Sequence, residues 1–306
     1  MKMNTSTSNR ERQHLSIFKI WLLAIRPKTL PAACAPIIVA AGLAWRDGVF
    51  RFGPVLAALL AALLLQIGSN LANDVFDYKK GTDTEERVGF LRVTQAGLLT
   101  PKQVLAGMLT VFVLAAVLGV YLIYAGGWPI LVVGVAAIVA AIAYTGGPYP
   151  LGYHGLGDVF VFIFFGPVAL LGTYYVQAKA VSAAAVWASI AVGLAVVAIL
   201  VVNNLRDIET DRKTGKRTLA VRFGAQFTKL EYFSVFAGAY LIPLVMVLLD
   251  LGSPFLLLTW LSVVFFIPLV KEVFHVRGSG LNKTLAGTAR LVLIYSLLFA
   301  VGYLLG

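Results

Sequence analysis

Nine apolar runs of 17 to 24 residues leave this chain few folds to choose from: Thr29–Trp45, Pro54–Leu71, Val104–Gly127, Trp128–Tyr144, Val159–Val176, Ser182–Val202, Tyr232–Leu249, Pro254–Val270 and Leu285–Leu305. A bilayer core about 30 Å thick is crossed by about 20 helical residues, with about 17 the lower limit. Lipid offers backbone groups no water, so a run of that length must be helical to satisfy its own N–H and C=O groups. The fold class expected is all-α: a polytopic membrane protein with nine transmembrane helices around a central cavity. Composition agrees, since 13% of the residues are charged, against about 25% in soluble domains. The third and fourth runs are separated only by Gly126-Gly127-Trp128-Pro129, a helix stop followed by a proline suited to a new first turn.

Charge then fixes an orientation. With the N-terminus cytoplasmic, the segments on that side hold 21 of the 25 Lys and Arg residues, the opposite loops hold only Arg46, Arg51 and Lys179, and Arg290 stays inside the ninth run. The excess of positive charge on cytoplasmic loops is the usual determinant of topology, and it places the N-terminus inside and the C-terminus outside. Residues 1–14 read as a disordered polar tail, Leu15–Ile25 as a short interfacial helix, and residues 15–306 as a single domain. No cleavable signal is expected, because Pro27, Pro31 and Pro36 interrupt the first apolar run. The single cysteine, Cys34, excludes an internal disulfide, and three scattered histidines give no histidine-based metal centre.

Eight of the 14 acidic residues fall in two cytoplasmic loops: Asp74, Asp77, Asp83, Glu85 and Glu86 after the second run, and Asp207, Glu209 and Asp211 after the sixth. Both clusters open with the same pattern, Asn70-xxx-Asp74 and Asn203-xxx-Asp207, each followed about a turn later by a further aspartate, Asp77 or Asp211. Residues three and four apart share a helix face, so each helix is expected to present an amide and two carboxylates together at the membrane boundary. Lys79-Lys80-Gly81 follows the first cluster and Lys213-Thr214-Gly215-Lys216-Arg217 the second. Acid pairs beside clustered cations suit a divalent metal held together with phosphate, because hard Mg²⁺ takes a few carboxylates and completes its shell with phosphate oxygens and water. Runs one to four and five to eight read as two copies of a four-helix unit, with a shared cavity between them.

At these residues the chain resembles the UbiA superfamily of intramembrane aromatic prenyltransferases. The first motif runs from Asn70 through Asn73, Asp74, Asp77, Lys80 and Gly81 to Asp83, and the second from Asn204 through Arg206, Asp207, Asp211, Lys213, Gly215, Lys216 and Arg217 to Leu219. The stretch Arg87-x-Gly89-x-x-Arg92-x-x-Gln95-x-Gly97 and the segment Tyr144–Asp158 look like the menaquinone-pathway branch. The resemblance implies transfer of a polyprenyl group from an allylic polyprenyl diphosphate to 1,4-dihydroxy-2-naphthoate, with loss of CO₂ and diphosphate. The chain departs from the superfamily in one respect: Asp74 and Asp77 are three apart, where many members space these acids by four.

The roles follow from the chemistry such a reaction demands. Mg²⁺, expected as two ions, would act as a Lewis acid on the diphosphate, with Asp74, Asp77, Asp83, Asp207 and Asp211 as metal ligands and Asn70 and Asn203 beside them. Which first-motif aspartate binds metal and which acts as base stays open. Arg87, Lys213, Lys216 and Arg217 suit the diphosphate. Arg92 and Gln95 suit the acceptor carboxylate. Tyr144 and Tyr149 are candidates at the acceptor, with Tyr174 and Tyr175 as further aromatic faces for an allylic cation. The loop Thr145–Asp158 is expected to cap the cavity, with His154 a plain loop residue. The partners expected are the two substrates and the lipid bilayer of the bacterial cell membrane, with no nucleic acid. A different aromatic acceptor, such as 4-hydroxybenzoate, homogentisate or haem, is the alternative. A secondary transporter is the remote one, disfavoured because the acids lie at helix ends rather than at the midplane.

Overall fold

The computed structural model describes residues 15–82 and 88–306, so the tail at residues 1–14 and the expected ligands Asp83 and Arg87 lie outside the described residues. Among the described residues, and short 3-10 turns aside, ten helical elements follow one another: α1 (Ile17–Ile25), α2 (Pro31–Arg46), α3 (Phe52–Lys79), α4 (Pro101–Gly126), α5 (Trp128–Ala143), α6 (Gly157–Ala178), α7 (Ala183–Lys213), α8 (Leu219–Leu248), α9 (Pro254–His275) and α10 (Leu281–Leu304). All nine apolar runs are helical. Among the described residues, seven helices are long and apolar enough to cross a bilayer, and α1 and α2, bent by 53° at their junction, make an eighth crossing if taken as one span. The remaining helix, α5, has 16 residues, or about 24 Å at 1.5 Å per residue.

Local sequence explains the boundaries. Thr100 caps α4 by accepting from the Gln103 N–H while Gln103 accepts in return from the Thr100 N–H, and Pro101 fills the first turn. Gly127, at φ 88°, breaks the chain between α4 and α5 in a conformation that L-residues avoid. Ser16 caps α1, whose Ile17, Phe18 and Leu22 are exposed, as an interfacial helix requires. Pro167 lies inside α6, and around it Phe164–Leu171 is wound as a π-helix, the wider turn accommodating the missing N–H.

The most buried element is α7, which is lined with Ala184, Ala185, Ala188, Ala191, Ala195 and Ala198. Apolar burial does not separate a helix from lipid, so close packing of small side chains drives association here. A Cβ on Gly166 of α6 would stand 2.9 Å from the Gly193 Cα of α7, which shows how near the two backbones pass. In each half of the chain the same neighbours pack most extensively, α3 along α4 and α7 along α8. The ring closes where α10 packs along α2.

The acidic clusters begin on helix ends, as their spacing implies, and the helices run further than the apolar runs: α3 continues to Lys79 and α7 to Lys213, so Asp74, Asp77, Asp207, Glu209 and Asp211 all sit on the last turns of helices. Both ends open onto a central cavity of about 560 Å³.

Candidate active site

From α3, the side chains of Asn70, Asn73 and Asp77 line the cavity. Asn70 donates to the Ile25 carbonyl at 2.9 Å and to Thr29 Oγ1 at 3.0 Å, which ties α3 to the junction of α1 and α2. Asn73 Oδ1 accepts from the Thr145 hydroxyl at 2.9 Å. Asp77, almost wholly buried, accepts from the Tyr153 hydroxyl at 2.6 Å on one oxygen, and from Arg92 Nη2 at 2.8 Å and Lys216 Nζ at 3.3 Å on the other. A charge this deep is tolerable only when paired and hydrogen-bonded in this way.

Asp74 does not line the cavity. Three residues at 3.6 per turn set it about 60° round the helix from Asp77, and its two oxygens accept instead from the backbone N–H groups of Val93 (3.0 Å) and Thr94 (3.1 Å). The expectation of one face carrying Asn70, Asp74 and Asp77 therefore fails on α3 for Asp74 alone: Asn70, Asn73 and Asp77 line the cavity and Asp74 does not.

On α7 that expectation holds, with Asn203, Asn204, Asp207 and Asp211 all lining the cavity. Asp207 is gripped by the residue before it: Arg206 Nε reaches Oδ1 at 2.8 Å and Nη2 reaches Oδ2 at 2.6 Å. The same guanidinium donates to Asn203 Oδ1 at 2.8 Å and, from Nη1, to Asn282 Oδ1 of α10 at 2.9 Å. Asn282 in turn donates to the Val88 carbonyl at 3.0 Å. Phe90 lies beside this cluster, with the Arg206 guanidinium 5.6 Å and the Lys28 ammonium 5.3 Å from its ring centre.

The loop after α5 closes this end. Tyr153 carries ammonium groups near its ring, Lys80 at 4.9 Å and Lys216 at 4.7 Å, and its carbonyl accepts from the Arg217 N–H at 2.8 Å. Lys80 also donates to the Thr145 carbonyl at 2.8 Å. Burial pulls the Lys80 ammonium below its ordinary pKa; Asp77 opposes the shift and Lys216 adds to it. Beyond this polar end the cavity wall is apolar, formed by Phe160, Phe164, Phe165, Val168 and small residues of α4 and α5.

The model of the UbiA prenyltransferase family matches residues 33–304. The chain belongs to the UbiA prenyltransferase family. It is 37% identical over 303 residues to the 1,4-dihydroxy-2-naphthoate octaprenyltransferase of Escherichia coli (strain K12), covering 96% of this chain and 97% of that one. It is 32% identical over 293 residues to the Bacillus subtilis (strain 168) protein of the same name, covering 94% and 92%. Among solved structures, a UbiA homologue from Aeropyrum pernix K1 superposes with a TM-score of 0.67 at 16% identity, over 95% of this chain and 98% of that one. A UbiA homologue from Archaeoglobus fulgidus, bound to GPP and Mg²⁺, gives 0.67 at 12% identity over 92% and 99%. The fold is thus that of the UbiA prenyltransferases, and the protein is an integral membrane prenyltransferase.

Within this UbiA-family site the residues expected from sequence divide clearly. Asn70, Asp77, Arg92, Tyr144, Asn203, Asp207, Asp211 and Lys216 line one cavity. Gln95 sits in a half-buried turn and Tyr149 is exposed and stacked on His154 at 3.7 Å; neither lines the cavity. Arg217 and Lys213 are exposed beside the mouth. Tyr174 donates to Asp47 at 2.5 Å, and neither Tyr174 nor Tyr175 lines the cavity. Sequence reading missed Arg206, Lys80, Tyr153 and Asn73 as site residues. Arg206 had a signal, since an arginine three residues after Asn203 on one helix face falls within the turns that carry the acids.

The donor set fits a hard divalent cation. Asp77, Asp207 and Asp211, with the amide oxygens of Asn73 and Asn203, supply oxygen ligands alone, as Mg²⁺ requires. Among the described residues no three Asp, Glu, His or Cys side chains are gathered closely enough to hold a metal ion by themselves. Arg92, Lys216 and Arg206 hold Asp77 and Asp207 in ion pairs, and these same cations are matched to phosphate oxygens.

Proposed function

We propose that this prenyltransferase moves a polyprenyl group from an allylic polyprenyl diphosphate to 1,4-dihydroxy-2-naphthoate, releasing diphosphate and CO₂, as in menaquinone biosynthesis. One observation carries the reading: the carboxylates of α3 and α7 are paired with three cations, Arg92, Lys216 and Arg206, at the polar end of a cavity that is otherwise apolar. A diphosphate belongs at the first end and an isoprenoid in the second. The names of the E. coli and B. subtilis relatives support the acceptor.

Mg²⁺, when bound with the diphosphate, supplies Lewis-acid neutralisation of the leaving group, held by Asp77, Asp207 and Asp211. Lys216 shifts from Asp77 to the diphosphate, and Lys213 and Arg217 guide the anion at the mouth. Arg87 belongs to the same group by its place in the sequence. Breaking the allylic C–O bond sends its electron pair out with the diphosphate. The apolar wall keeps water from the cation, and the aromatic rings of Phe160, Phe164 and Tyr144, which line it, suit a nearby positive charge. Carbon 2 of the naphthoate ring then bonds to the allylic carbon, and cleavage of its carboxylate bond returns the electron pair to the ring. Arg92 pairs with the acceptor carboxylate until that bond breaks.

Asp74 holds the Phe90–Thr94 segment in place by its two N–H contacts, so that Arg92 stands over Asp77. Asp83 remains a proposed additional metal ligand. The polar end faces the cytoplasm, in keeping with the basic residues on its loops. The test offers purified protein in nanodiscs octaprenyl diphosphate, Mg²⁺ and one acceptor at a time. Prenylated, decarboxylated product from 1,4-dihydroxy-2-naphthoate is the expected result. Product from 4-hydroxybenzoate or homogentisate in its place would overturn the acceptor.

A further inference from the structure

Basic residues crowd the acidic end of the bundle, so a cation kept at the opposite end asks for a local reason. Among the described residues that end holds three, Arg46, Arg51 and Lys179. Arg46 is accounted for: it donates to the Tyr303 carbonyl at 3.1 Å, and its guanidinium lies 5.0 Å from the centre of the Tyr303 ring. Arg51 and Lys179 converge instead on a second cavity of about 350 Å³, walled also by Gly48, Val49, Phe50 and Gln177 and sharing no residue with the first.

Each of the two cations closes a helix end. Arg51 Nη2 donates to the carbonyls of Val176 and Gln177 in the last turn of α6, and Lys179 Nζ donates to the Ala125 carbonyl near the end of α4. Such contacts suit the carbonyls of a helix C-terminus. They leave further N–H groups on both side chains, and charge that a neutral carbonyl does not cancel. Among the described residues neither cation forms an ion pair.

Gln177 is the decisive wall residue. Only 5% exposed, it accepts from the Arg51 backbone N–H through Oε1 at 2.6 Å, which fixes which way round its amide stands. Its Nε2 has no acceptor among the described residues. A buried donor in that position is the exception in folded proteins, and what it lacks is an acceptor from outside the chain. The cavity thus gathers two cations and an orphaned N–H₂ group, with no carboxylate in its wall.

Depth in the membrane selects the anion. Trp45, Phe52, Tyr124 and Trp128 are all exposed at this end of the bundle, and Trp and Tyr side chains gather at the level of lipid headgroups. Gly48–Arg51 lies between the first two in the chain, and Ala125, which Lys179 reaches, lies between the other two. We propose that Arg51, Gln177 and Lys179 bind the phosphate of an anionic phospholipid from the leaflet at this end. The lipid draws the three donors together and pins the loop between α2 and α3 to the ends of α4 and α6. The site is separate from the prenyl-transfer cavity, and the proposal stands without that reading.

The experiment follows thermal unfolding of the whole chain in neutral detergent micelles to which phosphatidylglycerol, phosphatidylcholine or inorganic phosphate is added. Phosphatidylglycerol should raise the unfolding temperature of the wild type by about 4 °C, as a ligand of the native state does. Gln177→Glu keeps the oxygen that accepts from Arg51 and puts a second carboxylate oxygen where the amide nitrogen stood, so the phosphate is repelled while the internal contact survives. Lys179→Gln changes an exposed side chain. Each variant should lose at least half of the shift, and in native mass spectrometry each should retain one phosphatidylglycerol fewer than the wild type. A wild-type shift and lipid count in both variants would overturn the site. An equal shift with phosphatidylcholine would overturn its preference for an anionic lipid, and an equal shift with inorganic phosphate would make the ligand a soluble anion.

Discussion

Replacing Asp74 separates two roles that neighbouring aspartates could share. Its carboxylate accepts from two backbone N–H groups in the segment that carries Arg92, and both Val93 and Thr94 are buried. Asp74→Ala leaves two buried donors without an acceptor at about 1–3 kcal/mol each, a loss of about 2–6 kcal/mol. Asp74→Asn keeps one carbonyl oxygen, and its loss is about 1–3 kcal/mol. The loss falls first on the loop, which should detach Arg92 from Asp77 before the helices separate. Asp74→Asn is therefore expected to lower the unfolding temperature in detergent and to raise the KM for the aromatic acceptor, while the Mg²⁺ concentration giving half-maximal rate stays within twofold of wild type. A tenfold higher Mg²⁺ requirement, with an unchanged unfolding temperature, would refute the anchoring argument and make Asp74 a metal ligand.

Three other outcomes can be checked directly. Asp77→Ala and Asp211→Ala should abolish turnover at saturating Mg²⁺ while the purified proteins keep a wild-type gel-filtration profile, and a chelator should reversibly silence the wild type. Arg206→Ala leaves Asp207 buried without its partner, so about 3–5 kcal/mol should be lost; thermal unfolding of Arg206→Ala beside Arg206→Lys, which keeps the charge and loses the fork, would measure it. In a Cys34→Ala background, Thr214→Cys should react with a membrane-impermeant maleimide only in inverted vesicles and Val181→Cys only in intact cells or spheroplasts; the opposite pattern would invert the proposed topology.

The helical architecture was legible because lipid forces apolar helices to declare themselves in sequence, and the Gly127 break and Pro129 turn start were readable from residue type alone. The second acidic motif was equally readable: Asn203, Asp207 and Asp211 step by four along one helix, and all three line the cavity. The first was misjudged because Asn70 and Asn73 offer two registers. Repetition of an Asn-xxx-Asp spacing paired Asn70 with Asp74, whereas the structure turns Asn70, Asn73 and Asp77 inward and hands Asp74 to a backbone segment nearly twenty residues on. No helix period reports such a long-range hydrogen bond. Arg206 and Lys80 were hidden for a different reason, since positive charge at this end of the bundle is already explained by topology. Their partners, Asn282 and the Thr145 carbonyl, become visible only in three dimensions.

The hydrogen bond that Arg206 donates to Asn282 bears on how the enzyme is made. Both acidic helix ends are complete once α7 has entered the membrane, but Asn282 and the cavity-lining Leu285 belong to α10, the helix that closes the ring against α2. Ribosomes add roughly 5–20 residues per second, so roughly 4–15 s separate the synthesis of Asp207 from that of Asn282. During that interval a nascent chain already holds the groups that would grip a diphosphate, in a bundle whose wall is still open. A chain stalled before α10 would lack the contact that orients Arg206, and should be inactive and exposed to membrane proteolysis.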